Sequence, residues 1–281
     1  MSVYIEHFKN AQKFNSDIWS IYNDLEINIK NKIEMNSIIL STLDIDIKRG
    51  ILTGLNEAFI INENQYKTLI EKDINNAKII RPLIRGRDVK RFEVDFPQLY
   101  LINVHNGNPK NNLPPIDINE YPTIKEHLNK YIDGLIKRKD QGCTPYNLRS
   151  CNYMEDFFKP KIVYPETTQK ANFYLDITDH YFLDKTCFML LTDYPYYICS
   201  LLSSNLYEFA YKHLYSSIEL GKNGYQYNKH ALLKLPIIKP TKNLEEIFKS
   251  FEFNLGIINE YVYKLYNISP KEIEFIEKSN H

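Results

Sequence analysis

The chain is poor in glycine, with 9 in 281 residues, and carries 4 cysteines and a single tryptophan. The scarce glycines form no phosphate-binding G-x-x-x-x-G-K-[ST] loop and no G-x-G-x-x-G turn, and neither H-E-x-x-H nor G-x-S-x-G occurs. Mononucleotide hydrolysis, dinucleotide chemistry, zinc proteolysis and hydrolase-type acyl transfer are thereby excluded in their usual sequence forms. Cys143, Cys151, Cys187 and Cys199 contain no C-x-x-C pair, which argues against a zinc site or a disulfide framework. The 7 histidines are scattered and show no metal-ligand spacing. No stretch approaches the roughly 18 consecutive apolar residues of a membrane helix, and Glu6, Lys9 and Lys13 occupy the place of a hydrophobic signal core. A cytoplasmic protein without membrane contact is expected. Net charge is also missing, because 35 basic side chains meet 35 acidic ones. A wholly basic nucleic-acid binder is excluded, and a local basic patch is not.

What is present is an ordinary globular composition, 43% apolar and 25% charged, in a chain long enough for one large domain or two small ones. Ile18, Ile21, Tyr22 and Leu25 fall at helical spacing, so residues 1–36 read mostly as helix. Leu43, Ile45 and Ile47 then alternate with polar residues as in a half-buried strand, and Arg49-Gly50 reads as a turn. Asn62 and Gln65 are spaced for a capping box opening a helix through Glu71. Residues 99–102, 161–164, 173–175 and 187–191 read as strands, and residues 221–227 as a loop. Pro122 opens a helix with Ile124, Leu128, Tyr131, Ile132 and Leu135 on one face, ending in cations that suit its dipole. Further helices are expected over 195–215, 244–266 and 270–279. The fold class is mixed α/β: an N-terminal helical spacer (1–40), a sheet-containing body (41–240) and a C-terminal helical segment (241–281).

Residues 78–91 hold six cations against the single carboxylate of Asp88, the most basic window in the chain. Arg85 and Arg87 flank Gly86, whose missing side chain would let backbone approach a phosphate. A solvated turn paired with local acids is the plainer alternative. Asn106, Asn108, Asn147, Asn223 and Gln226 lie in predicted loops among Tyr146, Tyr225 and Tyr227, and amides can pair bidentately with adenine. Asp44, Asp46 and Lys48 offer the carboxylates and lysine of a metal-dependent nuclease. Their alternate spacing equally describes the solvent face of a strand.

The stretches Arg49-Gly50-Ile51-Leu52-Thr53-Gly54-Leu55-Asn56 and Ile80-Arg81-Pro82-Leu83-Ile84-Arg85-Gly86-Arg87-Asp88-Val89 resemble the opening of the TaqI-like C-terminal specificity domain. That domain is the target-recognition part of type IIG restriction-modification enzymes and adenine-specific DNA methyltransferases. Pro145-Tyr146-Asn147-Leu148-Arg149, Phe158-Lys159-Pro160-Lys161-Ile162-Val163-Tyr164-Pro165-Glu166, Asp184-Lys185-Thr186-Cys187-Phe188 and Leu235-Pro236-Ile237 follow in the family's order, and the likeness covers about residues 17–278. It implies a target-recognition-like sheet body that binds double-stranded DNA and serves an adenine-specific methyltransferase or restriction subunit. Catalysis, S-adenosylmethionine and Mg would belong to that partner domain, and this chain would hold no cofactor. Under this resemblance Lys48, Arg49, Arg85, Arg87, Lys90, Arg91 and Arg149 are expected on phosphates. Asn106, Asn223, Tyr225, Gln226 and Tyr227 are the base-reading candidates. Two alternatives stand beside a specificity subunit: a non-catalytic C-terminal fragment of a longer type IIG enzyme, and the nuclease.

Overall fold

The strand Lys161–Pro165 is buried along its whole length because its sheet is covered on both faces. Ile162 and Tyr164 face one apolar core and Val163 the other; on the adjoining strand Cys187–Leu191, Leu190 joins the first core and Cys187 and Met189 the second. This is why both segments are nearly continuous apolar runs rather than half-buried alternations. The sheet is antiparallel, in the order Asp46–Arg49, Cys187–Leu191, Lys161–Pro165, Tyr174–Asp176. At its covered edge Lys161 and Asp176 are register partners joined at 2.7 Å, with both side chains shut off from solvent. Lys161 also donates to the Phe157 carbonyl, and Asp176 accepts the backbone N–H groups of His180 and Tyr181, so the buried charges have several partners.

The computed structural model describes residues 23–215, 219–220 and 224–280. The helical expectation for Ile18, Ile21 and Tyr22, and the role assigned to Asn223, lie outside the described residues.

The second core underlies a sheet ordered Ile60–Asn62, Leu99–Ile102, Ile80–Ile84, Phe182–Leu183, whose last pair is parallel. The Asn62–Gln65 capping box is formed in both directions and opens the helix Glu63–Lys72. Pro122 begins its helix as expected, but the stripe through Leu135 is divided between Pro122–Asn129 and Ile132–Lys137. Arg138 beyond it is no dipole cation. It is buried, donates to the carbonyls of Thr53, Pro145 and Asn147, and lies 5.1 Å over the Phe59 ring.

The first core is enclosed mostly by helices. The expected run 195–215 breaks at Ser204, which turns extended and accepts the Tyr207 N–H to cap the next helix. The run 244–266 breaks where Glu252 and Phe253 take positive φ, and Asn254 caps Leu255–Leu265. The helix Asp24–Glu34 buries Ile29 and Ile33 in this core and ties Lys32 to Glu272 of the helix Pro270–Ser279 at 2.6 Å. One core therefore takes Ile29, Tyr164 and Ile276, residues from all three segments 1–40, 41–240 and 241–281. Ile258 is buried in it and Phe251 packs against it, so the C-terminal apolar stripe is satisfied within the chain.

Candidate nucleic-acid interface

Arg49 and Gly50 form no turn. The extended chain runs on, with the Gly50 N–H donating to Cys187 and the Ile51 N–H to Leu183. A Cβ on Gly50 would lie 1.9 Å from the Asp184 carbonyl oxygen, so glycine is there for close approach of two backbones. This delivers Arg49, half-exposed, to the end of the strand. Its guanidinium donates to the Glu166 carboxylate and to the Lys185 carbonyl, and sits 5.5 Å over the Phe188 ring.

Gly224–Gln226 is a strand and not part of a loop, pairing with Thr167–Thr168. Gln226 Nε2 donates to the other Glu166 oxygen at 3.2 Å, and the Tyr227 N–H donates to the Glu166 carbonyl. The Glu166 N–H donates to the Thr186 carbonyl, and Thr186 Oγ1 accepts the Gly86 N–H at 2.8 Å. Arg49, Gly86 and Gln226, distant in sequence, thus converge on Glu166 and Thr186. The bare Cα of Gly86 accommodates Thr186, whose carbonyl oxygen would be 2.9 Å from a Cβ; it is not the open phosphate cradle expected. Beside this edge runs a cleft of about 390 Å³, lined by residues 51–57 together with Asp184 and Lys185.

The predicted phosphate cations divide into two sets. Arg85 and Arg87 both lean on the buried Asp88 carboxylate, at 3.6 and 3.8 Å, but the Arg87 side chain stays 72% exposed. Lys90 is half-exposed and donates to the Arg87 carbonyl, and Arg149 is half-exposed beside Asp140 at 2.6 Å. Lys48 and Arg91 are different. Lys48 is held between Asp46 and Asp156; burial opposes its charge, and the bonds to those carboxylates outweigh it and raise its pKa. Arg91 is mostly buried against Glu208 and Asn205, in a network that Lys212 completes. Both are internal ties rather than free cations.

Among the base-reading candidates, Asn106 uses both ends of its amide in loop closure, donating to the Leu148 carbonyl and accepting the Cys143 N–H. Asn108 and Asn147 are buried and bonded likewise. Tyr225 and Tyr227 are core residues, 3% and 1% exposed, with the Tyr227 ring 4.2 Å from that of Tyr211. Of the five, Gln226 alone among the described residues is both partly exposed and set beside an exposed arginine.

Asp44 is exposed, Asp46 is engaged with Lys48, and among the described residues no group of three His, Cys, Asp or Glu is arranged to hold a metal ion. The Asp156 carboxyl is partly buried, which alone would raise its pKa, yet the bonds from Lys159 and Lys48 hold it below the ordinary value. Glu166, Thr186 and Lys185 carry no local sequence mark of a functional residue. Their only signal was membership of the collinear motifs, since nothing local marks Glu166 as the joint between strands.

The mixed α/β body thus carries an arginine, an amide and a carboxylate joined on one sheet edge, while Arg87, Lys90 and Arg149 keep side chains open to solvent. The family model of the TaqI-like C-terminal specificity domain matches residues 81–237, more than half of the chain, and the chain belongs to this family. The 49–56 motif lies outside the matched span. No curated protein matches the sequence. Among solved structures the chain is similar to the type IIG restriction endonuclease BpuSI, with a TM-score of 0.55 and 13% identity over 83% of this chain and 28% of that one. It is similar also to the type IIL restriction-modification enzyme MmeI, determined in complex with DNA, with a TM-score of 0.54 and 13% identity over 84% of this chain and 31% of that one. At this identity the likeness establishes the fold, and the chain spans less than a third of either protein. No helix among the described residues is long and apolar enough to cross a membrane.

Proposed function

We propose that the chain is a sequence-specific recognition module for double-stranded DNA in a restriction-modification system, directing a methyltransferase or endonuclease partner to its target. The observation that carries this reading is the convergence of Arg49 and Gln226 on Glu166, inside a chain of the specificity-domain family. Arginine pairs bidentately with guanine, glutamine with adenine, and a carboxylate accepts from cytosine N4. Glu166 holds the first two in place before DNA arrives, so little side-chain freedom is lost on binding.

Arg87, Lys90, Arg149 and, less exposed, Arg85 are the phosphate contacts, fixing register without reading sequence. Lys48, Arg91, Asn106, Tyr225 and Tyr227 leave the contact set and serve the fold. Methyl transfer from S-adenosylmethionine and any Mg-dependent cleavage belong to the partner domain, on a separate subunit or in the same polypeptide, and the module works in the cytoplasm with it.

The test is fluorescence anisotropy with mixed-sequence duplexes over a range of salt. Arg87→Glu is expected to weaken binding to all sequences about equally and to lower the salt slope by about 1. Affinity and slope unchanged from wild type would remove the basic window from the interface.

A further inference from the structure

A second cavity, of about 340 Å³, shares no lining residue with the Glu166 edge and lies between Lys78 to Arg81 at the start of the strand Ile80–Ile84, Asn103 and His105 just beyond the strand Leu99–Ile102, and the turn Met154–Phe158. Its size falls within the roughly 300–1,000 Å³ of small-ligand sites. Asn103, only 3% exposed, lines it with a buried Oδ1 that has no hydrogen-bond partner, and the buried Nε of Arg81 is likewise unpaired. A native fold rarely leaves such groups unsatisfied without a ligand or water to meet them. His105 adds a donor: its Nδ1 accepts the Gly107 N–H, which leaves the proton of the neutral ring on Nε2, and burial keeps the ring neutral by lowering its pKa. Glu155 adds an acceptor, oriented by Asn111 at 2.9 Å. One wall is flat, with the Arg81 guanidinium 5.4 Å over the half-exposed Phe158 ring.

These groups narrow the ligand by charge. Lys78, which also lines the cavity, and Arg81 disfavour a cation, Glu155 offsets one of those charges against a free anion, and the unpaired amide and guanidinium nitrogen disfavour a purely apolar molecule. An uncharged planar heterocycle with donors and acceptors on one edge meets all three conditions. We propose that this cavity binds a single purine or pyrimidine base, with Asn103 and Glu155 on its polar edge and the Arg81–Phe158 stack against its face. The base could come from a free nucleoside or from a nucleotide unstacked from nucleic acid.

Two arms separate these sources. Adenosine, guanosine, cytidine and thymidine are titrated into the full chain by saturation-transfer NMR and calorimetry, and duplexes carrying 2-aminopurine are followed by fluorescence. Binding of a free nucleoside, weakened about tenfold by Asn103→Leu, supports a nucleoside site. Brightening of 2-aminopurine in the duplex, lost in the same variant, supports an extruded base. Phe158→Ala, at a half-exposed position, gives a second readout if Asn103→Leu fails to fold, and is expected to weaken either response similarly. Silence in both arms overturns the proposal, as does a response that survives these substitutions. The nucleoside arm requires no duplex binding, and duplex binding by anisotropy is read without this cavity, so this inference and the DNA-recognition reading fail separately.

Discussion

Gln226 and Glu166, 60 residues apart, are joined side chain to side chain at 3.2 Å, while the other oxygen of the same carboxylate takes the Arg49 guanidinium. The joint is built by two sheets: Arg49 arrives on the strand Asp46–Arg49, and Gln226 arrives on a strand paired with Thr167–Thr168, directly after Glu166. Its members are partly exposed, so it adds little to stability, about 0–1 kcal/mol. Gln226→Ala and Glu166→Gln are therefore expected to melt close to wild type. In parallel selections from random DNA they should change the preferred base at one or two positions, and an unaltered motif would show that this edge does not read sequence.

Arg91→Ala separates an internal tie from a DNA contact. It leaves Glu208 buried with Lys212 and the Ala171 N–H as remaining partners. Breaking a buried pair costs about 3–5 kcal/mol, and the residual partners place this case at the lower end. Urea denaturation should show that loss. DNA affinity, measured below the unfolding transition, should stay near wild type, and a large drop would return Arg91 to the interface.

Tyr225→Phe and Tyr227→Phe test the burial of two residues that the sequence offered as readers. Both rings lie in the core, so each variant keeps the packing and should change stability by about 1 kcal/mol or less. Target preference should not move. Altered selectivity in either variant would mean that the strand Gly224–Gln226 opens on DNA.

Glu272 supplies a pH signature for the contact between the first and last described helices. Burial works against its charge, but the bonds from Lys32 and from Ser269 outweigh it and hold its pKa below the ordinary 4.5. A depressed carboxyl contributes stability that is present above its unfolded pKa and is lost as pH falls through the folded one. Glu272→Gln should therefore cost about 1 kcal/mol near neutrality, and the gap to wild type should close below about pH 4.5. A gap independent of pH would assign the contact to packing alone.

Local chemistry was legible where it was decided locally. The Asn62–Gln65 box, Pro122 at a helix start and the strand Leu99–Ile102 needed only near neighbours to specify them. The alternation at Leu43, Ile45 and Ile47 appears in their burial, although the paired strand begins only at Asp46. Gly50 and Gly86 misled because each answers to a backbone more than 90 residues away, at Asp184 and Thr186. Arg138 looked like a helix-end cation because the carbonyls of Thr53, Pro145 and Asn147 meet around it only in the folded chain. The base-reading candidates divide for a related reason: Tyr and Asn compose both loops and cores in this protein, and the sheet pairing of Gly224–Gln226 puts Tyr225 in the core while Gln226 stays partly exposed.

The most direct test of the account is selection of bound duplexes from a random DNA pool by the purified chain, at moderate salt, with and without a cognate methyltransferase domain. Enrichment of one short motif is expected, by the chain alone or on addition of the domain. Absence of any enriched motif under both conditions would contradict sequence recognition, and would leave the family's fold in this chain without the family's function.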